Sequence, residues 1–184
     1  MLKLLLDKDI EKVRMSFNVS PIQLIYSEMT DTWLSFLRQF ASNHPQAIGR
    51  LEFEVTESAV MTDPVRALKI LAQLKDLGAR IALDDFGTGH SSLAQLNKLP
   101  IDVLKFDRSL ILHVETDAKS RTLVTHLSNM AADLHLETVA EGVETPFQIE
   151  FCTALGFDMI QGYAFYKPML FDELEKVVGG QCNE

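Results

Sequence analysis

The chain has 184 residues, 47% hydrophobic and 23% charged, enough apolar material for one compact soluble domain with a substantial core. A formal charge of −9 and a pI near 5.0 argue against a nucleic-acid polymer as partner, since that needs a basic surface. A small anionic substrate remains compatible where local cations, metal ions among them, overcome the overall field.

No apolar run reaches the roughly 20 residues that a bilayer-spanning helix requires. The opening stretch Met1-Leu2-Lys3-Leu4-Leu5-Leu6 is too short for a signal-peptide core, and Asp7-Lys8-Asp9 follows at once. Cys152 and Cys182 form no disulfide framework, and no Cys/His pair has zinc spacing. A reducing cytoplasm is the expected location.

Residues 2–12 read as the tail of a helix already under way, and residues 179–184 as a polar C-terminal tail. Between them, short apolar runs at 15–19, 51–55, 80–83, 103–106, 138–140 and 159–160 read as buried strands. They are rich in Val, Ile, Leu and Phe, as parallel strands covered on both faces are. Asp63-Pro64 opens a helix that Gly78 closes; residues 118–134 carry apolar groups at helical spacing; Thr145-Pro146 opens another helix, ended by Gly156.

Strand followed by helix, six times over, means parallel βαβ units, in either an open doubly wound sheet or a (βα)₈ barrel. Every strand run ends in a group suited to metal binding or acid–base chemistry: Asn18, Glu54, Asp84 with Asp85, Lys105 with Asp107, Glu141 and Gln161. In an open sheet only the ends near a switch point share a site, whereas in a barrel all C-terminal strand ends converge. The expectation is therefore an α/β, TIM-like barrel. Such a barrel has eight strands and about 250 residues, so this chain is expected to supply about six of eight βα units.

Glu52, Glu54 and Glu57 crowd together, as do Asp84 and Asp85. Carboxylates so close repel one another unless protons or cations neutralise them. Hard oxygen donors without a His or Cys cluster favour Mg²⁺ or Mn²⁺ over zinc. Adjacent aspartates at one strand end suit two ions roughly 3.5–4 Å apart, an arrangement that activates water for attack on a phosphodiester. Glu54 lies between Phe53 and Val55; if those two pack under helices, period-2 alternation turns Glu54 into the barrel. Lys105, between Leu104 and Phe106, needs acidic partners if it is buried.

Asn18-Val19-Ser20, Glu54-Val55-Thr56-Glu57, Asp84-Asp85-Phe86-Gly87-Thr88-Gly89, Leu104-Lys105-Phe106-Asp107-Arg108, Ala140-Glu141-Gly142-Val143-Glu144 and Gln161-Gly162-Tyr163 follow one another in this chain. Together they resemble the successive signatures of the EAL-domain cyclic di-GMP phosphodiesterases, over about residues 17–168. His90 and Phe106 depart from that pattern, where Tyr and Ile are usual. The resemblance implies that Asn18, Glu54 and Asp84 hold a first metal ion, together with the Glu of a Glu-Ala-Leu motif that this chain does not contain. Asp84 would bridge to a second ion, completed by Asp85 and Glu141. Lys105 would orient the attacking water and Glu141 influence its deprotonation. Gln161 would line the pocket beside Asp107, Glu57 would anchor the loop 85–92, and Glu144 would support the far side.

The implied reaction is hydrolysis of cyclic di-GMP to linear pGpG with two Mg²⁺ or Mn²⁺ ions, in bacterial second-messenger signalling. A sensory or GGDEF-type domain would share the parent protein, and the isolated chain would be impaired in hydrolysis. The strand edges left by the two absent units would be covered by a homodimer or other oligomer, or by the rest of a larger protein. The competing readings are a module that binds cyclic di-GMP without cleaving it and a protein-interaction module.

Overall fold

The computed structural model describes residues 13–25, 27–88 and 96–180. Six parallel strands form one sheet in sequential order: β1 (Met15–Asn18), β2 (Leu51–Thr56), β3 (Arg80–Phe86), β4 (Val103–Phe106), β5 (Glu137–Ala140) and β6 (Met159–Ile160). The expected strands are all present. A sheet wound in one direction places its helices on one face and lets the other curl inward. Arg14, just before β1, reaches across to Glu137 at the start of β5 in an ion pair, with a further Nη2–Oε1 contact of 3.3 Å. Strands four places apart in the sheet therefore face each other across a lumen. Among the described residues, β1 pairs only with β2 and β6 only with β5.

The helices are α1 (Pro21–Ile25), α2 (Ser27–Asn43), α3 (Pro45–Ile48), α4 (Glu57–Thr62), α5 (Pro64–Asp76), α6 (Arg108–Ile111), α7 (Ala118–Asp133), α8 (Pro146–Ala154) and α9 (Phe171–Gly180). Their starts follow the sequence signals. Asp63 accepts a hydrogen bond from Arg66 N (3.1 Å) ahead of Pro64. Thr145 and Gln148 form a reciprocal capping box ahead of Pro146. One expectation needs correction: Gly179 and Gly180 continue α9, whose apolar and acidic first turns carry the helix through what reads as polar tail. The helical reading of residues 2–12 and the remainder of the tail, 181–184, lie outside the described residues.

Alternation along the strands divides the sheet into two faces. Phe53, Val55, Ile81, Leu83, Leu104 and Phe106 point outward and join one large core with the helices. The inward positions start with Ser16, Glu52, Arg80 and Glu137 at the N-terminal ends. They continue through Ala82, Val103 and Val139, which form a separate small apolar cluster. Further along come Glu54, Asp84, Lys105 and Glu141. The lumen thus has a charged pole at each end.

Two aspartates tie the strand starts together. Asp102, just before β4, accepts from Ile81 N (2.9 Å), the second residue of β3. Asp158, just before β6, accepts from Thr138 N (2.7 Å), the second residue of β5. Each carboxylate satisfies a strand-end donor that would otherwise lack a partner.

Candidate active site

Lys105 is the hub of the C-terminal pole. Its side chain comes off β4 into the lumen, 5% exposed, and its Nζ meets three carboxylates from three other strands. Glu54 Oε1 of β2 lies at 3.0 Å, Asp84 Oδ1 of β3 at 3.1 Å, and Glu141 Oε1, just past β5, at 2.7 Å. Glu54 is 9% exposed, turned inward as the packing of Phe53 and Val55 against the helices requires. Four sequence-predicted residues thus meet at one point.

Asp84 and Asp85 are adjacent in β3, and consecutive residues of a regular strand face opposite ways. The strand is not regular there. From Leu83 to Phe86, β3 takes three steps while its partner β4 takes two, from Leu104 to Phe106. This one-residue bulge sets Asp84 and Asp85 together opposite Lys105, and Asp85 adopts φ 57° to allow it. Aspartate tolerates that left-handed conformation better than most residues. The bulge also carries the strand on to Phe86, three residues beyond the expected end at Leu83.

Charge accounts for the titration of these groups. Burial disfavours the Lys105 ammonium, but its hydrogen bond to Glu141 and the charges of Glu141, Asp84 and Glu54 prevail, holding its pKa above the ordinary lysine value. Burial raises the pKa of Glu141, and Asp84 and Glu54 add to the rise against the opposing pull of Lys105. Asp85 is raised likewise, by burial and by the charges of Asp84 and Asp107. Ammonium and carboxylates can shift upward together because four acids share one lysine.

The other predicted residues surround this centre. Asn18 ends β1 in register with Glu54, exposed, and by alternation on the lumen face with Ser16. Gln161 follows β6 and lines, with Glu54 and Lys105 and with Arg14, Glu52 and Glu137 from the other end, an open lumen cavity of about 640 Å³. Asp107 caps α6 by accepting from Ser109 N (2.8 Å). Glu57 is 5% exposed in the first turn of α4, where negative charge is favoured. Its expected hold on the loop 85–92 falls in part on residues 89–92, His90 included, which lie outside the described residues. Glu144 pairs at the rim with Arg108 (3.1 Å).

Glycine is required twice beside these groups. Gly142, after Glu141, has φ +65°. A Cβ at Gly162, after Gln161, would fall 2.1 Å from the Val143 carbonyl oxygen, so the two strand exits cross in backbone contact.

Among the described residues no three His, Cys, Asp or Glu side chains form a closed metal cage, because the carboxylates converge on Lys105. The donor set nevertheless fits a hard divalent cation. It offers only oxygen donors, it carries an acidic surplus, and Asp84 Oδ1 is buried without a hydrogen bond, held by the Lys105 charge alone.

Comparison with known proteins agrees with this geometry. The EAL domain family matches residues 1–168. This chain belongs to the EAL domain family. The match begins earlier than the residues 17–168 that carry the motifs. Cyclic di-GMP phosphodiesterase NbdA of Pseudomonas aeruginosa is 43% identical over 126 residues, 68% of this chain and 16% of that protein. The chain therefore spans a small part of that relative's length. The PaMucR phosphodiesterase in complex with cyclic di-GMP superposes with a TM-score of 0.83 at 36% identity, covering 94% of this chain and 68% of that one. Klebsiella pneumoniae BlrP1, in a manganese and cyclic di-GMP complex, gives a TM-score of 0.76 at 27% identity, covering 91% of this chain and 42% of that one. The (βα) barrel wall is thus that of the EAL domain.

Reading the sequence missed the opposite pole. Arg80 Nη2 meets Glu137 Oε1 at 2.9 Å, and its Nε lies 3.7 Å from Glu52 Oε2. Glu52 also accepts from Ser16 Oγ (3.1 Å). At 3% exposure and engaged by Arg80 and Ser16, Glu52 belongs to the N-terminal pole of this EAL domain, at the other end of the cavity that Lys105 also lines. The available signal was parity: Glu52, Arg80 and Glu137 precede inward-facing site residues by two or four positions.

Proposed function

We propose that this EAL domain hydrolyses one phosphodiester of cyclic di-GMP, giving linear pGpG, with two Mg²⁺ or Mn²⁺ ions. The observation that carries the reading is the convergence of Glu54, Asp84 and Glu141 on Lys105, with Asp85 brought alongside by the bulge. Asn18, Glu54 and Asp84 would hold one ion, and Asp84, Asp85 and Glu141 the other. When bound, the ions supply charge neutralisation at the phosphate and acidify water.

The chain's own groups do the rest. Lys105 donates a hydrogen bond that orients the attacking water toward phosphorus. Glu141, hydrogen-bonded to Lys105, stands where it can draw a proton from that water. The water oxygen forms a bond to phosphorus, the P–O3′ bond breaks, and the departing O3′ takes up a proton from solvent. Gln161 lines the pocket; Asp107, Glu57 and Glu144 fix the loops around it. The setting is bacterial second-messenger signalling in the cytoplasm, in a parent that includes a sensory or GGDEF-type domain, with this domain in a homodimer or other oligomer. Among the described residues no helix is long and apolar enough to cross a membrane.

The absence of a Glu-Ala-Leu motif from the sequence favours slow turnover by this chain alone, and gives the second reading, binding without cleavage, its specific support. Incubating the chain with cyclic di-GMP and Mn²⁺, then separating the products, tests the proposal. Linear pGpG that disappears with a chelator is expected. Binding without product would select the second reading, and chelator-insensitive turnover would overturn both the metal roles and the mechanism.

A further inference from the structure

A second cation–carboxylate pair stands beside the first. Lys105 and Arg108 are three residues apart at the exit of β4; Glu141 and Glu144 are three apart at the exit of β5. Lys105 bonds Glu141, and Arg108 Nη2 bonds Glu144 Oε1 at 3.1 Å, so two rungs join the same two segments.

The outer rung is anchored at both ends. Arg108 is the first residue of α6, directly after the cap Asp107, whose own N–H bonds the Phe86 carbonyl (3.3 Å). Glu144 has its backbone N–H held by Gln148 Oε1 (2.7 Å), within the capping box of α8. Between these anchors the Arg108 stem lies on Gly142. A Cβ at that glycine would sit 2.4 Å from Arg108 Cγ and 2.6 Å from Arg108 Cβ. The left-handed turn that follows Glu141 is thus covered by the stem of one residue and closed by its guanidinium.

An ion pair whose arginine side chain is 56% exposed is screened by solvent and contributes little to stability. Its placement is what matters. We infer that Arg108 is a positioning residue: it clamps the turn Gly142–Glu144 and so fixes where the Glu141 carboxylate stands relative to Lys105. This rests on the hydrolytic reading for its kinetic consequence, but not for its geometric one.

The test compares Arg108→Ala, Arg108→Lys, Glu144→Ala and the double alanine variant in the full chain. Arg108→Ala is expected to lower kcat about tenfold with KM within twofold, since the residue acts through Glu141 and not on substrate. Arg108→Lys keeps stem and charge and restores kcat to within about threefold. Glu144→Ala matches Arg108→Ala, and the double variant is no worse than either single, as expected for one coupled unit. A kcat within twofold of wild type in Arg108→Ala, losses that multiply, or a rise in KM at constant kcat would each overturn the inference; the last would make Arg108 a substrate contact.

The side-chain carboxyl ¹³C resonance of Glu141 provides a readout that needs no turnover. It should move in both single alanine variants and stay in place in Arg108→Lys. An unmoved resonance in Arg108→Ala overturns the inference even in active protein. If wild type yields no pGpG, the hydrolytic reading fails, and this resonance alone still decides the positioning role.

Discussion

The two ends of the lumen are built from the same materials to different purposes. At the N-terminal pole, Arg14 and Arg80 face Glu52 and Glu137, two cations against two anions, with Ser16 adding a hydrogen bond. At the C-terminal pole, Lys105 alone faces Glu54, Asp84 and Glu141, with Asp85 close enough to feel the same charges. The N-terminal cluster balances its charges and can hold strands together, although Glu52 Oε2, Arg80 Nε and Arg80 Nη2 are buried without a hydrogen bond. An unbalanced one stores repulsion that an added cation relieves. Ala82, Val103 and Val139 lie between the two along one wall, while a single open cavity runs past both clusters. The contrast supports the proposal that the C-terminal pole is where the chemistry takes place.

Removing the central charge of each pole should break the symmetry most visibly. Asp84→Ala is expected to reduce hydrolysis at least a thousandfold, since Asp84 is the group proposed to serve both ions. A rate within tenfold of wild type would refute that role. Glu137→Ala at the other pole should leave kcat per folded molecule within twofold and destabilise the fold by about 1–3 kcal/mol, the cost of uncompensated partners in Arg14 and Arg80. A tenfold loss of kcat there would show that the poles are not separable.

Lys105→Ala sharpens the comparison further. It leaves three inward carboxylates without their ammonium, which should cost the metal-free chain about 3–5 kcal/mol by denaturant unfolding. Mn²⁺ should recover much of that loss, because Lys105 touches the carboxylates without being a ligand. Hydrolysis should remain slow even with metal bound. A variant as stable as wild type without metal would mean that the carboxylates are protonated there instead.

Asp85→Asn is the smallest expected effect. A carboxyl whose folded pKa is raised favours the folded state while protonated, and that contribution is lost as pH rises through the folded value. At neutral pH the ionised Asp85 therefore weakens the metal-free fold. Asp85→Asn should raise its melting temperature slightly at pH 7 and leave it unchanged at pH 3. A lower melting temperature at pH 7 would contradict the assigned strain.

Much of this was legible in the sequence, and the reasons differ by element. The strand runs were readable from their apolar, helix-facing residues, although the end strands β1 and β6 are not buried as expected, and Asp63-Pro64 and Thr145-Pro146 marked helix starts through capping chemistry. Glu54 and Lys105 were legible as inward-facing because their neighbours are apolar. The bulge at Asp84–Asp85 was not, since two aspartates carry no period from which a register shift can be read. The Arg80–Glu137 pair joins strands more than fifty residues apart, and only the curl of the sheet brings them together. Arg108 was hidden for a related reason: its partner surface is Gly142, which has no side chain to suggest a contact.

The most direct test of the account is Mn²⁺ binding by calorimetry, comparing wild type with Asp84→Ala and Glu137→Ala. The unbalanced C-terminal pole should make wild type bind Mn²⁺, Asp84→Ala should lose at least about a hundredfold in affinity, and Glu137→Ala should stay within threefold. Equal Mn²⁺ affinity in wild type and Asp84→Ala, or a larger loss in Glu137→Ala, would contradict it.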